Sequence, residues 1–158
     1  MGVVEEPGLM RRHRLTVDEY YRMAEAGVLA PDARVELIEG EIVDKAPMKS
    51  RHAGVIARLN GLLNRAVGDA AVVTCQTPLR LSDRSEPEPD LLVLRPRADF
   101  YTQAHPAPAD VLLLIEVSDT TLAYDRSIKL PLYAKYGVAE VCIVDLANNL
   151  VRFFRQPQ

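Results

Sequence analysis

The residue most at odds with its surroundings is Glu116, set inside Val111-Leu112-Leu113-Leu114-Ile115-Glu116-Val117, a run otherwise built of aliphatic side chains. A carboxylate carried into such a strand loses its hydration, at a cost of several kcal/mol unless it is paired, protonated or bound to a metal. The sequence leaves a solvent-facing strand end and an arginine partner as further options. Asp90 follows Pro89 and opens a second apolar run, Leu91-Leu92-Val93-Leu94, a place where a surface aspartate is also common. Two carboxylates at neighbouring strand ends can share a hard divalent cation, which takes oxygen ligands and keeps several waters for a reaction. They could also serve as an acid and base pair without metal, as in glycoside hydrolysis. A content of 6% aromatic residues and no tryptophan disfavours a sugar-binding cleft.

These acids must be carried by definable elements. Residues 1–13 lack periodicity and are expected to form a flexible arm ahead of a domain over 14–158. Thr16-Val17-Asp18-Glu19 has capping-box spacing, and Gly27 is a natural stop, which predicts a short, lid-like helix. Residues 33–45 read as a β-hairpin turning at Glu39-Gly40. From Ser50, Val55, Ile56, Leu59, Leu62, Leu63, Ala66 and Val67 fall on one helical stripe that ends at Gly68. Extended structure follows over 71–75 and 77–81, interrupted at Pro78, then the turn-rich SDRSEPEP and the strand after Asp90. A surface helical turn is expected near 97–104. The run over 111–117 is a strand buried on both faces and the expected centre of the sheet. Residues 125–136 read as a helix, 139–146 as a buried strand and 149–154 as a closing strand.

With 158 residues, 48% hydrophobic and 26% charged, the chain is long enough for one domain with a real core. A net charge of −3 argues against a generic nucleic-acid coat protein. It leaves room for a nuclease, because a bound cation reverses the field of an acidic centre. Cys75 and Cys142 lie in apolar segments without metal-ligand spacing, so neither a disulfide nor zinc is expected. No secretory signal or spanning segment is read, and the cytoplasm is the expected compartment.

Six segments in order, VELIEGEIV, SRHAGVI, EPDLLVL, LLIEVSDTT, YDRSIKLPLYAKYGV and AEVCIVD, resemble the Uma-two endonuclease family of the PD-(D/E)XK superfamily over about residues 14–155. The resemblance implies a restriction-endonuclease-like α/β fold. Its mixed central sheet would have an α-β-β-β-α-β core behind the N-terminal helix and hairpin, with the helices at Ser50 and Lys129 on opposite sides. It further implies Mg²⁺-dependent endonuclease cleavage of DNA, with Mn²⁺ a possible substitute, and a possible homodimer. Asp90, Glu116 and the Val117 carbonyl would hold the metal.

The lysine usual two residues after the second acid is absent, Ser118 standing there. Relatives place it on the next helix, where Lys129 matches, one turn from Asp125 as an orienting acid. Pro131 then requires the helix to start near Ile128 or to kink. Glu36 matches the glutamate of the first motif, as a third acid or a strand residue facing outward. His52 matches a family histidine that could touch phosphate or the metal's water, or simply lie at the surface. Arg80, Arg84, Arg95 and Arg97 could steer a nucleic-acid backbone. Tyr133 and Tyr136 are expected to pack at the edge of the core. The rival to catalysis is a binding module that keeps this fold without turnover.

Overall fold

The computed structural model describes residues 10–157, so residues 1–9 of the expected arm lie outside the described residues. Helix α1 (Val17–Glu25) opens with the predicted capping box: the Glu19 amide donates to Thr16 Oγ1 at 3.2 Å, and the Thr16 amide to Glu19 Oε2 at 2.7 Å. Its buried residue Val17 and the hydroxyls of Tyr20 and Tyr21, which reach Val35 O and Glu86, fasten it to the hairpin and the 80s loop. None of its residues lines the acidic cleft described below.

Strands β1 (Val35–Ile38) and β2 (Glu41–Asp44) pair antiparallel with Ile38 opposite Glu41. The turn residues Glu39 and Gly40 have φ of 48° and 80°, the double positive angle that matches a two-residue turn to strand twist. Glycine is needed at the second position, because an added Cβ would stand 2.7 Å from Arg14 Cβ.

Helix α2 (Ser50–Val67) leads into a five-stranded sheet of β3 (Val72–Cys75), β4 (Leu91–Leu94), β5 (Val111–Ser118), β6 (Glu140–Asp145) and β7 (Leu150–Arg155), in that spatial order. Neighbours are antiparallel except β5 and β6, whose parallel pairing demands a crossover. That crossover comprises α3 (Leu122–Tyr124), a π-helical turn (Asp125–Lys129) and α4 (Leu130–Lys135).

Alternation along the strands sends side chains to two faces. Leu91, Ile115, Val117 and Cys142 pack with Ile56, Val55 and Leu59 of α2. Leu92, Leu114, Val141 and Ile143 pack with Leu132 and Tyr133 of α4. The sheet is therefore covered by the two helices on opposite sides, and Glu116, two residues from Leu114, points to the α4 side.

Residues 77–81 lie outside the named strands, as an arm with Leu79 and Leu81 buried and their amides donating to Pro87 O and Ser85 O; Gln76 at φ 51° separates the arm from β3, and Pro78 brings no amide donor. Two local expectations need correction. Residues 97–104 are turns without a helix. The helix expected over 125–136 begins earlier and changes pitch in the middle. In its π turn the Leu130 amide bonds to Asp125 O, and the next residue, Pro131, lacks the N–H that an α-helical bond to Ser127 O would use.

Leu114 is fully buried at the centre of this arrangement. Leu114→Ala should lower unfolding stability by about 2–5 kcal/mol, read as a lower urea midpoint with an unchanged slope.

Candidate active site

The site follows from how β5 outruns β4. Leu91 pairs with Ile115, so beyond it Asp90 comes level with Glu116, where β4 has ended and β5 continues to Ser118. The N–H and C=O of Val117 point together off this side of β5. The N–H donates to Asp90 Oδ2 at 2.8 Å. The C=O accepts from His52 Nε2, in the first turn of α2, at 2.8 Å. The same imidazole nitrogen lies 3.3 Å from Asp90 Oδ2.

On the α4 face, Glu116 is 4% exposed and does not reach solvent at a strand end. Its Oε1 receives Lys129 Nζ at 2.8 Å and the Tyr133 hydroxyl at 2.5 Å. Lys129 is 4% exposed and also lies 3.3 Å from Glu36 Oε2, which in turn accepts the Glu88 amide at 2.9 Å. Glu36 therefore faces inward, against the outward-facing alternative, because the hairpin closes over the cleft.

Lys129 is held by Glu116 and Glu36, not by Asp125. Asp125 Oδ2 accepts the hydroxyls of Ser118 at 2.6 Å and Thr121 at 2.7 Å. Ser118 thus fills the place usual for lysine and ties the crossover to β5, while the π turn brings Lys129 in from the other side.

Glu36, Asp90, Glu116, Asp125 and Lys129, all buried, line one cleft of about 90 Å³, with His52, Arg34, Lys45 and Tyr124 also on its wall. Among these buried groups acids outnumber the ammonium. Burial pushes Glu116 up to about 8, with Lys129 opposing and Asp90, Asp125 and Glu36 reinforcing the rise. Burial alone would depress Lys129, yet Glu116, Tyr133 and Glu36 hold it well above the usual lysine value. For Asp90, burial works upward and is overcome by the hydrogen bonds from His52 and the Val117 amide, so this carboxyl sits below its ordinary value.

This donor set suits a hard cation. Among the described residues, no protein group donates a hydrogen bond to Asp90 Oδ1 or Glu116 Oε2, so each acid keeps an oxygen free. No group of three or more His, Cys, Asp or Glu side chains among the described residues is arranged to hold a metal. A cation here would therefore rely on two carboxylates, a backbone carbonyl and water, which is how weakly dehydrated Mg²⁺ is usually bound.

Several expected positions lie elsewhere. Arg95 and Arg97 sit at the far end of β4 and bond to Ala109 O and to Asp99 with Ala104 O. Arg80 pairs with Asp83 and Glu86, and Arg84 reaches Arg14 O. The cations on the cleft wall are Arg34 and Lys45, which the sequence did not single out; Lys45 pairs with Glu88 at 3.0 Å. Tyr133 packs in the core as expected, but its hydroxyl also belongs to the site. Tyr136 is half-buried and donates to Glu39 Oε1.

Comparison with known proteins finds both a family and solved structures of similar fold. The sequence model of the Uma2 family, described as "Putative restriction endonuclease", matches residues 17–158. A crystal structure titled as "a putative nuclease belonging to DUF820", from Anabaena variabilis, superposes with a TM-score of 0.67 at 18% identity, covering 91% of this chain and 81% of that one. At that identity the likeness is one of fold. No curated protein matches. Among the described residues no helix is long and apolar enough to cross a membrane. The family match spans nearly the whole chain, from α1 through the acidic cleft to β7, and on that ground the protein belongs to the Uma2 family.

Proposed function

We propose that this protein is a divalent-metal-dependent endonuclease that hydrolyses DNA phosphodiester bonds. The observation that carries this reading is the meeting of Asp90, Glu116 and the Val117 carbonyl beside Lys129, in a cleft where buried acids outnumber the buried ammonium. Membership of a family described as "Putative restriction endonuclease" supports DNA as the substrate class.

Asp90, Glu116 and the Val117 carbonyl would hold Mg²⁺ or Mn²⁺. When bound, that ion supplies Lewis-acid polarisation of the phosphate and a water made acidic enough to attack near neutral pH. The protein's own groups divide the remaining work. Tyr133 and Lys129 occupy Glu116 Oε1, which leaves Oε2 without a donor among the described residues. Lys129 stays protonated, so it acts as a fixed positive charge for a phosphate gaining negative charge, and not as a general base. Glu36 and Glu116 lock its Nζ in place, and charge already held in position needs no reorganisation during reaction. Arg34 and Lys45 supply positive charge on the wall to which a nucleic-acid backbone is drawn.

Plasmid and single-stranded DNA incubated with Mg²⁺ or Mn²⁺ should be cut by the wild type, and EDTA should stop the cutting. Asp90→Ala and Glu116→Gln should each reduce the rate by at least about 10²-fold, and Lys129→Met by about 10²- to 10³-fold. A folded wild type that binds the cation and cuts neither DNA would instead favour a binding module built on this fold.

The raised pKa of Glu116 also has a stability signature. Between its ordinary value of 4.5 and its folded value of about 8, the folded chain keeps a proton that the unfolded chain has lost. The contribution of this group is therefore full below about 4.5 and declines as pH rises through 8, by up to roughly a few kcal/mol. Glu116→Gln lacks the titration, so without metal its melting temperature should gain on the wild type as pH is raised from about 5 to about 8. Added Mg²⁺ should then raise the wild-type melting temperature at the upper end of that range and leave the variant unmoved.

A further inference from the structure

His52 occupies a position that the metal reading alone does not explain. Its Nε2 stands 2.8 Å from Val117 O and 3.3 Å from Asp90 Oδ2, the carbonyl and one carboxylate oxygen of two residues in the cation site proposed above. Its other nitrogen, Nδ1, is buried and has no hydrogen-bond partner among the described residues. The ring is thus held by what Nε2 does, with no second bond fixing it as a histidine ligand usually is fixed. A neutral imidazole protonated on Nε2 meets this geometry as well as a charged one. It offers its N–H to the carbonyl while bordering the carboxylate.

Val117 O has no ladder partner on this side, because β4 ends at Leu91 and Asp90 takes the adjacent amide. Without His52 the carbonyl would lose its donor, and the carboxylate beside it would keep only the Val117 amide. With it, they are kept in register by a proton donor in the space a cation would use.

We propose that His52 is a resident placeholder: its Nε2–H stands in for the cation at Val117 O, beside the Asp90 carboxylate, and must swing aside before a divalent ion can take that carbonyl together with Asp90. This inference rests on the metal reading above. It makes His52 a residue that weakens cation affinity while preserving the site's shape, since only molecules with the ring displaced are competent to bind. The missing partner on Nδ1 is consistent with a ring that is not anchored in one pose.

The test is calorimetric titration of metal-free wild type, His52→Ala, His52→Gln and Asp90→Ala with Mn²⁺ alone at one fixed pH. Circular dichroism and thermal melts in EDTA verify folding. His52→Ala should bind Mn²⁺ about fivefold to fiftyfold more tightly than wild type, the equivalent of one or two hydrogen bonds no longer given up on binding. His52→Gln, whose amide can still donate to one of the two oxygens, should fall between them, and it decides the matter if the alanine variant does not fold. Asp90→Ala should lose binding. Unchanged affinity in the histidine variants would overturn the inference, meaning the ion uses other oxygens. Weaker affinity would also overturn it, making His52 a ligand or a support for one. Absence of Mn²⁺ binding in wild type and variants alike would remove the metal reading itself, and the placeholder with it.

Discussion

The interaction on which the rest of this structure depends is the buried contact of Lys129 with Glu116 and Glu36. A carboxylate on the inward face of a central strand cannot remain there without compensation, and Lys129 Nζ at 2.8 Å offsets part of the cost of burial. Glu36, held by the Glu88 amide, steadies the same ammonium from the hairpin. Three separated parts of the chain, the hairpin, the central strand and the crossover helix, are thus tied at one point. The tie does not neutralise the cleft, because Asp90 and Asp125 add further buried carboxyl groups, and these reinforce the rise that burial imposes on the pKa of Glu116.

The crossover is shaped by the same demand. Ser118, directly after the buried acid on its strand face, bonds to Asp125 at the start of the π turn, and Lys129 closes that turn. The wider pitch lets one short stretch grip β5 through Asp125 and deliver a cation to Glu116. Pro131 sits one residue past the π turn, with no amide to complete α-helical bonding there. Such π turns are frequent at functional sites, and this one lies beside the buried charges of the cleft.

Much of this was legible in the sequence. Glu116 and Asp90 stand out because each breaks the apolar pattern around it, and such breaks tend to mark functional sites. The hairpin, α2 and strands β4 to β7 follow from strong periodicity and turn residues. What escaped was set by tertiary geometry. The inward turn of Glu36 depends on the hairpin folding over the sheet, which alternation along a four-residue strand cannot reveal. Asp125 has the spacing to orient Lys129, yet the π turn and the hydroxyls of Ser118 and Thr121 claim it. Arg34 and Lys45 gain meaning only once the hairpin forms a wall of the cleft, whereas Arg95 and Arg97, adjacent to the right strand in sequence, emerge at its wrong end.

The central claim is that Asp90, Glu116 and the Val117 carbonyl form one cation site beside Lys129. Its most direct measurement is a crystal structure of the protein soaked in Mn²⁺, with anomalous scattering recorded to locate the ion. The account predicts a single strong peak at about 2.1–2.3 Å from Asp90, Glu116 and Val117 O, lost in Asp90→Ala crystals. A peak bound elsewhere, or a site that stays empty at high Mn²⁺ with Glu116 still paired to Lys129, would contradict it.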